Sequence, residues 1–147
     1  MAIWGADVSE MSEDVDALAG LLSVEELAKA DRLKKDPARL MSVVARGGLR
    51  VLLGAYTKQE PSRVVFKQQV GGKPMLESGE ISFNLAHSGD WVVWAFAASG
   101  EVGVDLEQLR ADVVYSRVVR RYFHPMEQQA LAEADDAVRL FFDMWAA

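Results

Sequence analysis

Two carboxylates, Asp105 and Glu107, stand two residues apart in the run Val102-Gly103-Val104-Asp105-Leu106-Glu107. In an extended chain alternate side chains share a face, so Val102, Val104 and Leu106 turn one way and Gly103, Asp105 and Glu107 the other. Like charges that close repel unless a cation or a shared proton lies between them. Oxygen donors of this kind suit Mg²⁺, which takes one or two carboxylates and leaves its other positions to water and phosphate oxygens. Gly103 beside the pair leaves room for a ligand. An acidic strand face bathed in water satisfies the same spacing, so the pair alone leaves both readings open.

Further candidates lie upstream. His87 sits in Phe83-Asn84-Leu85-Ala86-His87-Ser88, sharing a strand face with Phe83 and Leu85 while Asn84 and Ser88 take the other. A lone histidine on an apolar face is either a hydrogen-bonded core group or a catalytic one. His124, the second histidine, is too remote for a zinc pair. Ser88 is followed by Gly89 but lacks the first glycine of a hydrolase elbow. Lys73, in Gly71-Gly72-Lys73-Pro74, offers an ammonium on a tight turn without the pattern of a phosphate-binding P-loop. With no cysteine, disulfides, cysteine metal sites and a thiolate nucleophile are excluded.

The elements that must position these groups read as follows. Ala2 to Val8 forms a first strand. Ser23-Val24-Glu25-Glu26 fits a capping box and opens a helix through Lys35. Asp36-Pro37 stops that helix and starts the next, with Asp36 as N-cap and Pro37 at the first helical position. The second helix runs from Pro37 to Tyr56 on a stripe of Leu40, Val43, Val44, Leu49, Leu52 and Leu53. Gly47-Gly48 either weakens it or lets a neighbour pack close. Residues 63–69 read as a strand and 70–74 as a turn. Residues 81–88, 91–99 and 101–108 are three further strands separated by glycine-containing turns. Helices resume over Val113 to Arg121, after His124-Pro125 and after Asp135-Asp136. The fold class is α+β, with an antiparallel sheet packed against helices.

The chain has 147 residues, half of them apolar, which is enough for one domain or two small lobes with a real core. A net charge of −6 argues against a nucleic-acid partner. The charge is uneven: every charged side chain up to Glu26 is acidic, and then come Lys29, Arg32, Lys34, Lys35, Arg39, Arg46 and Arg50. A basic patch on an acidic protein suits a small polyanion. No signal peptide or membrane-spanning run is visible, so a cytoplasmic protein with no membrane partner is expected.

The order of the motifs separates readings that each motif alone leaves open. Gly72-Lys73-Pro74, then Phe83 to Ser88, then Gly103 to Glu107, then Phe123-His124 with Glu127 and Leu131, and finally Trp145 resemble the 4′-phosphopantetheinyl transferases. The likeness is to the larger, two-lobed class, which shows G-K-P, F-N-x-S-H-S, G-[IV]-D-[IL]-E, F-[FH]-x-x-E-x-x-x-L and W-[ST]-x-K-E in that order. It runs from the first strand to the last residue. The resemblance implies two lobes, residues 1–101 and the start of a second, pseudo-symmetric one in 102–147. It implies transfer of 4′-phosphopantetheine from coenzyme A to a serine of an acyl, peptidyl or polyketide carrier protein. Asp105 and Glu107 then become Mg²⁺ ligands on the coenzyme A pyrophosphate. Lys73, Pro74, His87, Ser88, Ser42, Lys29 and Arg39 become the coenzyme A set, with His87, Ser42 and Lys29 towards the 3′-phosphate and Lys34 and Lys35 assisting.

The chain departs from the pattern in three places. Ala86 replaces a usual serine, and Met41 and Glu26 stand where basic residues are expected. The sequence given also stops at Ala146-Ala147, where the family's Lys-Glu would follow Trp145, so the resemblance implies a fragment short of the third acidic ligand. Two functions follow: the transferase, or a coenzyme A and Mg²⁺ binding piece that does not turn over. A domain with no ligand, its acidic face merely solvated, is the third. Arg117, Arg120 and Arg121 are the expected contacts for an acidic carrier helix bundle.

Overall fold

A computed structural model describes residues 1–33, 35–68, 72–110, 112 and 114–146. Val70, Gly71, Lys34, Val113 and Ala147, which figure in the expectations above, lie outside the described residues. The chain divides into two compact units, Met1–Asp105 and Leu106–Ala147.

The first unit is built on β1 (Ala2–Asp7), β4 (Ser82–Ser88) and β5 (Trp91–Ala97), in the spatial order β1-β5-β4, all antiparallel. A short hairpin of β2 (Phe66–Gln68) and β3 (Pro74–Leu76) forms a second sheet. Three helices accompany them: α1 (Val15–Ala19), α2 (Val24–Asp31) and α3 (Asp36–Thr57). The register aligns Phe83 with Phe96, Leu85 with Trp94 and His87 with Val92, so these six side chains share one sheet face. That face meets α3, whose Val43, Val44, Leu49 and Leu53 are fully buried with Val92, Trp94 and Phe96.

The paired glycines owe their place to close packing. A Cβ at Gly48 would stand 2.7 Å from Cζ2 of Trp94, and one at Gly47 would stand 2.8 Å from Cβ of Leu18. The two positions thus let α3 approach the sheet on one side and α1 on the other. Trp94 completes the contact by donating from its indole nitrogen to the Ala45 carbonyl at 2.9 Å, which satisfies a buried polar group. At the tip of the β4–β5 hairpin Gly89 has φ +58°, the left-handed value required at the first central residue of a II′ turn.

The capping box at Ser23 and Glu26 is present, with Glu26 accepting from the Ser23 amide at 2.9 Å. Asp36 is not the N-cap of α3. Lys35 takes the extended N-cap conformation, and Asp36 is the first helical residue, followed by Pro37. An acidic group in that first turn still meets the positive end of the helix dipole.

Residues 101–108 are not a strand. The alternation is there, since Val102 is buried and Val104 and Leu106 half-buried while Gly103, Asp105 and Glu107 are exposed. Side chains bond to it: the Val104 amide donates to Oδ1 of Asn84 at 3.3 Å, and Nζ of Lys73 donates to the Val102 carbonyl at 3.2 Å.

The second unit holds α4 (Ser116–Tyr122), α5 (Pro125–Glu133) and α6 (Ala137–Trp145). Its core is Val119, Leu131, Phe141 and Phe142, with Tyr115 and Phe123 stacked on Phe141. His124 caps α5: Nδ1 accepts from the Met126 amide at 3.3 Å, and Glu127 accepts from the His124 amide at 2.7 Å. No helix of the described residues is long and apolar enough to cross a membrane.

Candidate functional site

The β4 strand carries its shared face from the core outwards: Phe83 is buried, Leu85 half-buried and His87 exposed. His87 is therefore not a core histidine. It borders a cleft of about 450 Å³ together with Ser42, Arg46, Ala38, Met41 and Leu85. Ser42 lies one helical turn before Arg46 on α3, and the two also border a neighbouring cavity of about 310 Å³ with Lys29, Pro74, Gly72 and Glu26. Lys29, Ser42, Pro74 and His87, dispersed over nearly sixty positions, thus converge on two cavities that share Ser42 and Arg46.

The other expected residues sit apart from that pair of cavities. Lys73 reaches the Val102 carbonyl, three residues before Asp105. Ser88 is half-buried, and its alternation with His87 puts it on the opposite sheet face. Arg39 borders a different cleft of about 700 Å³ beside His87 and Asp90. Its Nε is 2.9 Å from the Asp31 carboxylate, so the guanidinium already has a counter-ion. Lys35 is exposed at the N-cap of α3. In the second unit Arg117 and Arg121 are exposed, and Arg120 donates to the Ser116 carbonyl at 3.1 Å.

Asp105 ends the first unit and Glu107 lies at the start of the second. Both are exposed. Among the described residues no three His, Cys, Asp or Glu side chains gather into a metal cage. An all-oxygen pair nevertheless fits Mg²⁺ chemically, because that ion keeps several waters and takes its remaining ligands from phosphate groups.

Glu26, the acidic residue in an expected basic place, is the hub of an ion cluster. Its two carboxylate oxygens accept from Nε of Arg46 at 2.5 Å and Nε of Arg50 at 2.8 Å. Burial pushes its carboxyl up, but hydrogen bonds from Arg50, the Ser23 amide and Arg46 outweigh that and hold it below the usual 4.5. A depressed folded value means that Glu26 stabilises the fold above the unfolded value, and this contribution is lost as pH falls through the folded one. Acid unfolding of Glu26→Gln followed by circular dichroism is expected to show a flatter decline below about pH 4.5 than the parent chain; identical acid limbs would contradict the assignment.

Arg46 is the residue that the sequence motifs missed. Its four-residue spacing from Ser42 was visible, but the carboxylate that anchors it lies twenty positions upstream.

Comparison with known proteins gives the family. The family model described as the N-terminal part of the 4′-phosphopantetheinyl transferases matches residues 8–99, and that of the 4′-phosphopantetheinyl transferase superfamily matches 101–147. The chain belongs to the 4′-phosphopantetheinyl transferases. It is 33% identical to the 4′-phosphopantetheinyl transferase HetI of Nostoc, over 97% of this chain and 63% of that protein. It is 33% identical to a putative 4′-phosphopantetheinyl transferase of Synechocystis, over 86% of this chain and 54% of that one. Sfp of Bacillus subtilis is 25% identical over 91% of the chain and 60% of its own length. The chain thus spans just over half of the length of these curated relatives. The α+β fold with an antiparallel sheet is the one expected of the family.

Proposed function

We propose that this chain binds coenzyme A and, in the reaction of its family, passes 4′-phosphopantetheine to a serine hydroxyl of an acyl, peptidyl or polyketide carrier protein in the cytoplasm. In that reaction the serine hydroxyl gives up its proton to solvent and its oxygen bonds to the β-phosphorus of coenzyme A. The bond from that phosphorus to the bridging oxygen breaks, and adenosine 3′,5′-bisphosphate leaves. Phosphoryl transfers of this kind are accelerated chiefly by positioning and by neutralising charge.

The observation that carries the reading is the convergence of Lys29, Ser42, Pro74 and His87 on two cavities that share Ser42. Lys29, Ser42 and His87 are assigned to the 3′-phosphate, where an ammonium, a hydroxyl and an imidazole N–H supply donors to a phosphomonoester. Lys73 is assigned to the pyrophosphate, where its ammonium offsets charge on the leaving oxygen, and Pro74 fixes the end of its turn. Ser88 and Arg39 belong to the outer part of the set. Asp105 and Glu107 would hold Mg²⁺, which when bound supplies positive charge to the pyrophosphate. Residues 1–101 are taken as belonging to the first lobe and 102–147 to the second, and Arg117, Arg120 and Arg121 as carrier contacts.

A second reading is binding of coenzyme A and Mg²⁺ without transfer. One experiment addresses both. The chain is incubated with coenzyme A, Mg²⁺ and an apo carrier protein, and the intact mass of the carrier is read alongside a calorimetric titration with coenzyme A. A carrier gaining the mass of phosphopantetheine supports transfer. Heat of binding without mass gain supports the second reading, and the absence of both sinks the assignment.

A further inference from the structure

Val102 and Val104 anchor the segment that carries Asp105 through their side chains, the first 7% exposed and the second half-buried. Their backbone is tied as well, by side chains from two separate parts of the first unit. Nζ of Lys73, just ahead of β3, donates to the Val102 carbonyl at 3.2 Å, and Oδ1 of Asn84, on β4, accepts from the Val104 amide at 3.3 Å. A backbone amide only donates, so it is the oxygen of the Asn84 side chain that meets it. Asn84 reaches the segment from the sheet face opposite His87, three positions away on the same strand. Its neighbours on that face, Ala86 on β4 and Ala95 across on β5, carry no polar side-chain atom, so the amide is what the face offers here. The outer side of the segment stays open. Gly103 and Asp105 are exposed, and among the described residues a Cβ on Gly103 would meet nothing within 4 Å.

We propose that Asn84 is a positioning residue for the metal-binding carboxylate: its oxygen fixes the backbone one residue ahead of Asp105 and so sets where that carboxylate stands when Mg²⁺ and coenzyme A bind. The inference rests on the Mg²⁺ reading above and deepens it. Only the torsions of two residues separate the Val104 amide from the Asp105 carboxylate, so an error in the one is passed to the other. Asn84 is uncharged, and its effect therefore runs through geometry. Groups that orient a metal ligand in this way matter almost as much as the ligands. Lys73 holds the neighbouring carbonyl, and because an ammonium has three N–H groups this bond is compatible with its assignment to the pyrophosphate.

The test titrates coenzyme A calorimetrically into the full chain at a series of Mg²⁺ concentrations and in chelator. It reads the Mg²⁺ concentration that gives half of the metal's effect, and the affinity without metal. Asn84→Leu, similar in volume but with no acceptor, is expected to need about tenfold more Mg²⁺, with the metal-free affinity within about twofold of the parent. Asn84→Asp, which keeps an accepting oxygen, is expected to fall close to the parent. Asn84→Ser, whose hydroxyl is too short to reach, carries the comparison if the leucine variant melts early. A leucine variant that keeps the parent's Mg²⁺ requirement overturns the proposal. So does one that weakens metal-free binding to the same extent, the mark of a purely structural role, and so does an aspartate variant as poor as the leucine one. A parent whose coenzyme A affinity does not respond to Mg²⁺ overturns the metal reading itself, which keeps the two failures distinguishable.

Discussion

Asp105→Ala is expected to abolish the Mg²⁺-dependent part of coenzyme A binding and to slow carrier loading on the order of a hundredfold or more. The magnitude follows from what the side chain would do. Removing a group that merely orients a metal ligand costs about ten- to a hundredfold in metal affinity or activity, so deleting a ligand itself belongs at or beyond the upper end. Mg²⁺ is a hard cation that is bound through one or two carboxylate charges, so Asp105→Asn is expected to lose nearly as much as the alanine variant. The measurement is coenzyme A affinity with Mg²⁺ and with a chelator. In the parent the two values should differ, and in Asp105→Ala they should coincide. A variant that keeps the parent's metal dependence would remove Asp105 from the metal site and leave the acidic pair a solvated face.

Local chemistry made much of this legible in advance. Ser23 and Glu26 announce the start of α2 because a capping box closes within four residues, and Pro37 and Pro125 mark helix starts because the missing amide is spare there. Residues 101–108 show the limit of the same method. Period-two alternation reports which side chains are buried, and it did so correctly for Val102 and Asp105. A strand also needs a backbone ladder, and at Val104 and Val102 the segment bonds to the Asn84 and Lys73 side chains. The Gly47-Gly48 pair was ambiguous for a related reason, since its purpose depends on Leu18 and Trp94, which are remote in sequence.

The site divides along the same line. His87 could be noticed as a residue, but whether it faced the core or a cleft depended on how far along its strand the helix α3 extends over the sheet. Glu26 shows the contrast most sharply. Judged by its position in the chain it was a misplaced charge, and judged by its neighbours it is the counter-ion of Arg46 and Arg50. Motifs place a residue in a family's order. They do not say which partner its charge already has.

That cluster sets the second large effect, which is on stability. Arg50→Ala is expected to destabilise the first unit by roughly 3 kcal/mol. Arg50 is 4% exposed and, among the described residues, is the buried charged one. Besides Glu26, its Nη1 reaches the carbonyls of Pro61 at 3.2 Å and Val64 at 2.9 Å, tying α3 to the turn that leads into β2. Truncation strands acceptors where water has little access, and an unsatisfied buried group costs about 1–3 kcal/mol. Breaking a buried pair outright costs about 3–5 kcal/mol, but Glu26 keeps Arg46, which holds the expected loss at the lower end. Urea unfolding read by tryptophan fluorescence suits the question, because Trp4, Trp91 and Trp94 all lie in the first unit. The midpoint should fall with little change in slope. Arg50→Met separates packing from polarity: it refills most of the volume but supplies no donor, so a stability near the alanine variant assigns the loss to the stranded carbonyls and carboxylate. Recovery to the parent value would mean that Arg50 serves the core as bulk alone, and that the cluster around Glu26 depends on Arg46.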